Sequence, residues 1–187
     1  MAAKRWEVFI GYWISLVNDV PQYIYEMLFC LFGMATILIL ACKGIKGGWR
    51  LIAQMALMEY LFLVYCSTLI FRTVNPMVGY NFMPLWSYGV IRDNPNSIML
   101  PETVMNVIVF VPMGLLFGMA IRLIKWWKVL LTGGCISVSI EVLQFITKRG
   151  FSETDDVMHN TIGCMIGYGT YLGVARCCKY IFGNSKM

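Results

Sequence analysis

Five apolar stretches recur along this chain, at residues 24–42, 51–71, 103–121, 129–147 and 157–175, separated by segments richer in charge, proline and glycine. As helices rising ~1.5 Å per residue, each is long enough to cross ~30 Å of hydrocarbon. The pattern predicts an all-α fold, a polytopic membrane helical bundle with about five transmembrane helices. Upstream, residues 6–20 are aromatic and apolar, with Glu7 near one end and Asn18-Asp19 before Pro21 at the other. That stretch is short for a span and predicts an interfacial or half-inserted helix; a sixth span is the alternative. No linker, repeat or low-complexity tract divides the segments, so residues 1–187 are expected to form a single membrane domain.

The connecting segments sort by charge. Lys43, Lys46 and Arg50 join the first two spans, Arg122, Lys125 and Lys128 join the third and fourth, and Arg176, Lys179 and Lys186 follow the fifth, with no acidic residue among them. Residues 72–102 and 148–156 carry Arg72, Arg92, Lys148 and Arg149 against Asp93, Glu102, Glu153, Asp155 and Asp156. Basic loops stay on the cytoplasmic side. The first group and the C-terminus are therefore expected inside, and loops 72–102 and 148–156 outside. Lys4 and Arg5 obey the same rule only if residues 6–20 span. The long outer segment holds Pro76, Pro84, Pro95 and Pro101 with Gly79 and Gly89, which break helix and specify turns. With Trp86 and Tyr88 suited to the membrane interface, it is expected as an ordered loop against the outer surface.

Composition narrows the class further. Hydrophobic residues make up 59% of the chain and charged ones 13%, too little charge to cover a soluble domain of this size. The basic residues at 4 and 5 precede an apolar stretch, but no A-x-A site follows, so the N-terminus is expected to be retained. Cys30, Cys42, Cys66, Cys135 and Cys164 lie in or at the ends of apolar segments and are expected as packing residues, not disulfides. A lipid on Cys177 or Cys178 is the weaker alternative to plain thiols. No nucleotide loop, nucleophile elbow or zinc signature is present. No cofactor is expected, and the basic loops need no nucleic acid to explain them.

The polar residues within the spans gather at one depth. On the expected topology, Asn106 lies about one turn below the outer end of the third span, and Glu141 and Gln144 lie in the outer half of the fourth. Asp155, Asp156, His159 and Asn160 form the first outer turns of the fifth, and Arg149 sits in the loop before it. Glu141 and Gln144, at i and i+3, share a face. Asp156 and Asn160 are i, i+4, and Gly163 and Gly167 continue that face as a small-x-x-x-small pattern that admits a close helix neighbour. Asn106, Phe110, Gly114 and Gly118 repeat the arrangement on the third span.

A carboxylate at Glu141 is costly unless it is paired, protonated or facing a wet cavity. Arg149, or else the cluster's amides, are its expected partners. Two uses are open. One is a ligand-binding or catalytic cleft facing the outer leaflet, with Glu141 or Asp156 as candidate general base. The other is a hydrogen-bonded cluster that pins three helices together. Asp155/His159 and Asp156/Asn160, with Glu141, have ligand types suited to a divalent metal, but no motif such as H-E-x-x-H accompanies them and no metal is assigned. Asp155 and Asp156 also stand where a helix N-terminus favours negative charge. Glu59, mid-span in the second segment, is either a buried hydrogen-bonding group or a separate functional carboxylate.

Several blocks together resemble the VanZ-like family. They are Asn81-Phe82-Met83-Pro84-Leu85 after Arg72, Asn106-x-x-x-Phe110-x-Pro112-x-Gly114-Leu115-Leu116, Ser139-Ile140-Glu141-x-x-Gln144, and Arg149 followed by Asp155-Asp156-x-x-x-Asn160-x-x-Gly163-x-x-x-Gly167-Tyr168. They stand in the family's order across about residues 72–170. The resemblance implies a multi-pass protein of a bacterial cytoplasmic membrane. The family's namesake lowers susceptibility to the lipoglycopeptide teicoplanin, with much less effect on vancomycin. The residues it singles out are Arg72, Asn81, Asn106, Glu141, Gln144, Arg149, Asp156 and Asn160; with Asp155 they form the candidate binding set. His159 departs from the pattern, and nothing is carried over before Arg72.

Beyond the bilayer, the expected partners are a lipid-linked cell-wall precursor or a lipoglycopeptide. The favoured function is a non-enzymatic antagonist whose outer cleft engages one of these or an envelope lipid, because no recognised catalytic motif is present. An envelope-modifying hydrolase or transferase acting on a lipid or glycan head group is the alternative, and a scaffold for envelope enzymes the third.

Overall fold

The longest apolar runs form unbroken helices, as the hydropathy pattern requires. The computed structural model describes Glu7 and residues 48–70, 72, 74, 79–95 and 97–183. The expected span at 24–42 and helix at 6–20 lie outside the described residues. Helix α1 (Gly48–Tyr65) runs on into a π-helical turn at Cys66–Ile70. A two-residue strand β1 (Tyr80–Asn81) and a short helix α2 (Trp86–Asp93) follow. Helices α3 (Met99–Ala120) and α4 (Trp126–Thr147) lead through strand β2 (Ser152–Glu153) into α5 (Thr154–Gly183).

Gly48–Ile70, Met99–Ala120 and Trp126–Thr147 are each long and apolar enough to cross a membrane. Among the described residues these three stand for the spans expected at 51–71, 103–121 and 129–147. The span expected at 157–175 lies within α5, which has 30 residues but is more polar. His159, Asn160 and the glycines and tyrosines along α5 lower its hydropathy, and its first turns face protein. The segment expected as an ordered loop contains α2. Helix α3 also starts at Met99, before the expected 103, because Pro101 in a first turn removes no intrahelical hydrogen bond.

Helix α5 packs most extensively on α3, and glycines make that contact possible. A Cβ on Gly163 would overlap the Val107 carbonyl, one on Gly167 the Val111 carbonyl, and one on Gly114 the Cys164 carbonyl. The register advances in the same direction on both helices, so α3 and α5 are parallel. The short connections to α4 make it run the opposite way. Helix α1 covers another side of α3, where the Tyr60 hydroxyl donates to the Val109 carbonyl (2.5 Å) and Gln54 Nε2 to the Ala120 carbonyl (3.2 Å). Phe110, Met113, Phe117, Val129 and Cys164 fill the core between them. Across the connecting loops β1 pairs with β2 in parallel, Tyr80 opposite Ser152 and Asn81 opposite Glu153.

Gly167→Ala is expected to lower stability by about 1–3 kcal/mol, because backbone carbonyls cannot move aside as a flexible side chain does. Gly169→Ala, with nothing near its Cβ position, should leave stability equal or slightly raised. Thermal unfolding of the two variants in detergent checks the contrast.

Candidate functional site

The polar cluster sits where α3, α4 and α5 meet residues 79–95 and 148–153, and two of its acceptors are committed to fastening the loops. Helix α2 begins after Leu85, which has a left-handed backbone (φ 64°) and offers no side-chain cap. The Asp155 carboxylate supplies the cap from 70 residues away. Its Oδ1 accepts the Leu85 N–H (2.5 Å), and its Oδ2 accepts the Ser87 N–H (2.9 Å) and the Ser87 hydroxyl (2.5 Å). This is the partner a helix N-terminus favours. One turn along α5, the buried His159 meets the Tyr88 hydroxyl at 2.9 Å through Nε2. Asp155 and His159, i and i+4, together hold α2 against α5. Among the described residues, no group of three or more His, Cys, Asp and Glu side chains is placed to hold a metal ion.

Gln144 and Arg149 finish the other end of the cluster. The π-turn leaves carbonyls at the end of α1 without helical partners. Gln144 Nε2 donates to the Thr68 carbonyl (3.2 Å), and Arg149 Nη1 to those of Leu69 (3.2 Å) and Ile70 (2.6 Å). Arg149 was expected beside Glu141; its guanidinium is instead bonded to the end of α1. The cation that faces the carboxyls is Arg72, within electrostatic range of Glu102, Glu141 and Asp156. Its Nη1 passes so close to Gly150 that a Cβ there would come within 2.8 Å, and Gly150 holds φ 153°, which glycine adopts readily.

Glu141, 7% exposed, is the centre of what is left. Its Oε2 accepts the backbone N–H of Glu153 (2.8 Å), and its Oε1 has no hydrogen-bond partner among the described residues. The β1–β2 pairing sets Glu153 in place, while Asn81 Oδ1 closes a turn by accepting the Met83 N–H (2.9 Å). Burial, helped by the nearby Asp156, pushes the Glu153 carboxyl up to about 7, so this corner gains negative charge as pH rises through that value. The Trp86 indole faces Glu153 without ordinary hydrogen-bond geometry.

The Asn106 amide faces Asp156 from α3. One turn deeper, Asn160 Nδ2 donates to Ser137 Oγ (2.8 Å), leaving Asn160 Oδ1, like Gln144 Oε1, buried without a partner among the described residues. A cavity of about 290 Å³ is lined by Glu141 and Glu153 together with Phe82, Val138, Val142 and Phe145. Glu59 lies half-buried on α1 and makes no hydrogen bond to a described residue.

Glu102, Glu153 and Ser87 were not singled out from the sequence. Glu102 stands i−4 to Asn106, so helical spacing carried a signal. Glu153 and Ser87 lie in loop segments, where no period exists to reveal them. A model of the VanZ/LLP1 family matches residues 55–176, about two-thirds of the chain, and covers all nine candidate residues. It begins inside α1, earlier than the motif region read from the sequence. The chain is 28% identical over 115 residues to Protein VanZ of Enterococcus faecium, an alignment covering 59% of this chain and 71% of that protein. No solved structure matches the chain.

Asp155→Ala removes a charged acceptor from two backbone N–H groups and a hydroxyl, and is expected to cost about 2–3 kcal/mol. The loss should concentrate at α2, seen as faster amide hydrogen exchange over residues 85–93. Arg149→Ala should act instead on the end of α1.

Proposed function

The chain belongs to the VanZ/LLP1 family, and from that premise we propose that it lowers the susceptibility of a bacterial cell to lipoglycopeptides such as teicoplanin. It does so through a polar cleft on the outer face of the membrane that engages an envelope lipid, a lipid-linked cell-wall precursor or the drug itself. One observation carries this reading. Glu141 is more than nine-tenths buried, yet one of its oxygens is left unbonded beside an open cavity, in a cluster where a single guanidinium serves three carboxyls. Pure structural glue would satisfy its buried acceptors, since unmade hydrogen bonds in such places are costly. The positive-inside distribution of loop charge supports an outward orientation of this end of the bundle, toward the face where lipid-linked precursor and drug meet.

The test is the inhibitory concentration of teicoplanin and vancomycin in a susceptible Gram-positive host expressing the chain. Wild type should protect against teicoplanin and much less against vancomycin, while Glu141→Gln and Asp156→Asn, at matched membrane levels, should lose the protection. No protection by wild type sinks the proposal.

The pairing of Glu141 with Asp156 around Arg72 also favours a second reading, an envelope-modifying hydrolase or transferase. One carboxyl would act as general base and Arg72 would steady an anionic phosphate. Mass spectrometry of extracted lipids and precursors should then reveal a product that vanishes with Glu141→Gln; unchanged profiles exclude catalysis.

A further inference from the structure

The cavity beside Glu141 is largely apolar, with carboxyls at its edge. Val138, Val142 and Phe145 follow one another at i, i+4 and i+7 on α4, and their exposures of 47%, 49% and 51% leave them open to whatever surrounds the helix. Phe82 stands across the opening. On a membrane-spanning helix, such a stripe meets acyl chains. Glu141, on the same face of α4 as Val138 and Phe145, and Glu153 of β2 line the cavity with them.

The charge around these carboxyls is one-sided. Glu102, Glu141, Glu153 and Asp156 lie within electrostatic range of one another, and Arg72 serves three of them, Glu102, Glu141 and Asp156. Among the described residues, the neighbouring Arg149 is bonded to carbonyls and His159 to Tyr88. Asp155 is already saturated by α2. Glu141 Oε1 has no partner among the described residues, and neither do the buried acceptors Gln144 Oε1 and Asn160 Oδ1 or the buried N–H groups at Arg72 Nε and Trp86 Nε1. The residues that line the cavity itself include two carboxyls and no cation, and the rest of its surface suits a hydrocarbon tail.

We propose that this groove binds a bilayer lipid whose head group ends in a primary ammonium. The ammonium donates to Glu141 Oε1, and one acyl chain lies along Val138, Val142 and Phe145. The proposal rests on the cleft reading above and specifies its ligand. A protonated amine satisfies the orphan acceptor and offsets the excess of carboxyls in one contact. A quaternary choline head carries the same charge but has no N–H to donate. The occupant is therefore selected by hydrogen bonding as well as by charge and tail.

Purified full-length protein, exchanged into detergent with equal dioleoyl-phosphatidylethanolamine and dioleoyl-phosphatidylcholine, is examined by native mass spectrometry. The ethanolamine lipid should be retained about tenfold over the choline lipid, the ratio expected for one charge-assisted hydrogen bond. Glu141→Gln should bring that preference close to unity. Val142→Trp, which fills the groove from its exposed side without touching a carboxyl, should abolish retention of both. Elution volume and circular dichroism establish that each variant is folded, and Val142→Trp carries the test if Glu141→Gln is not.

Equal retention by wild type, or a preference that survives in a folded variant, overturns the proposal. Teicoplanin protection without an ammonium preference also overturns it and leaves the proposed function standing. An ammonium preference without protection supports the groove and removes the resistance reading.

Discussion

The backbone contact between α3 and α5 is the constraint on which the rest of this structure depends. Gly163 and Gly167 lie against the Val107 and Val111 carbonyls, and Gly114 against that of Cys164, so the helices meet main chain to main chain. In lipid there is no hydrophobic drive to join two apolar helices; close packing and weak polar contacts must do it. Three methyl-sized gaps, two on α5 and one on α3, supply that closeness. Because the helices are parallel, a register set at mid-depth propagates upward. It brings Glu102 and Asn106 of α3 level with Asp156 of α5, one to two turns above the glycines. A slip of one turn would separate them by about 5 Å.

Above that contact, the polar groups divide into those that bind the protein to itself and those that do not. Asp155 and His159 fasten α2, and Gln144 and Arg149 complete the end of α1. These are long-range bonds between helix termini and side chains, and they hold the loops down as a roof. Beneath the roof, Glu141, Asp156 and Glu102 surround one guanidinium with Glu153 beside them, and both donors and acceptors are left over. Groups that fasten the fold and groups that face the cavity are thus largely different residues of one cluster. Satisfaction is incomplete in the fastening set too, where Gln144 Oε1 and His159 Nδ1 are unpaired among the described residues, and such atoms are held in place at a cost.

The β1–β2 pairing joins the two halves of this arrangement. It is only two residues long on each side, yet it positions Glu153 so that its own N–H reaches Glu141 and its carboxyl faces the cavity. A main-chain donor thus orients the buried carboxylate, which fixes which oxygen is occupied and which is free.

How much of this was legible beforehand depended on the range of the interaction. Apolar length and helical spacing are local, so the sequence alone determined the helices α1, α3 and α4, the small-residue faces of α3 and α5, and the common depth of Asn106, Glu141, Asp156 and Asn160. It also placed Asp155 at a helix N-terminus, without saying which helix it would cap. The partners were a different matter. Whether Arg72 or Arg149 faces Glu141, whether residues 86–93 coil into a helix, and which side chain finishes the end of α1 rest on contacts between residues some 70 to 80 positions apart. Periodicity carries no information over that distance, and a guanidinium suits a carbonyl as well as a carboxylate. Only the tertiary structure decided them, because the glycine contact first fixes how deep each helix sits, and that depth decides which donor each acceptor can reach.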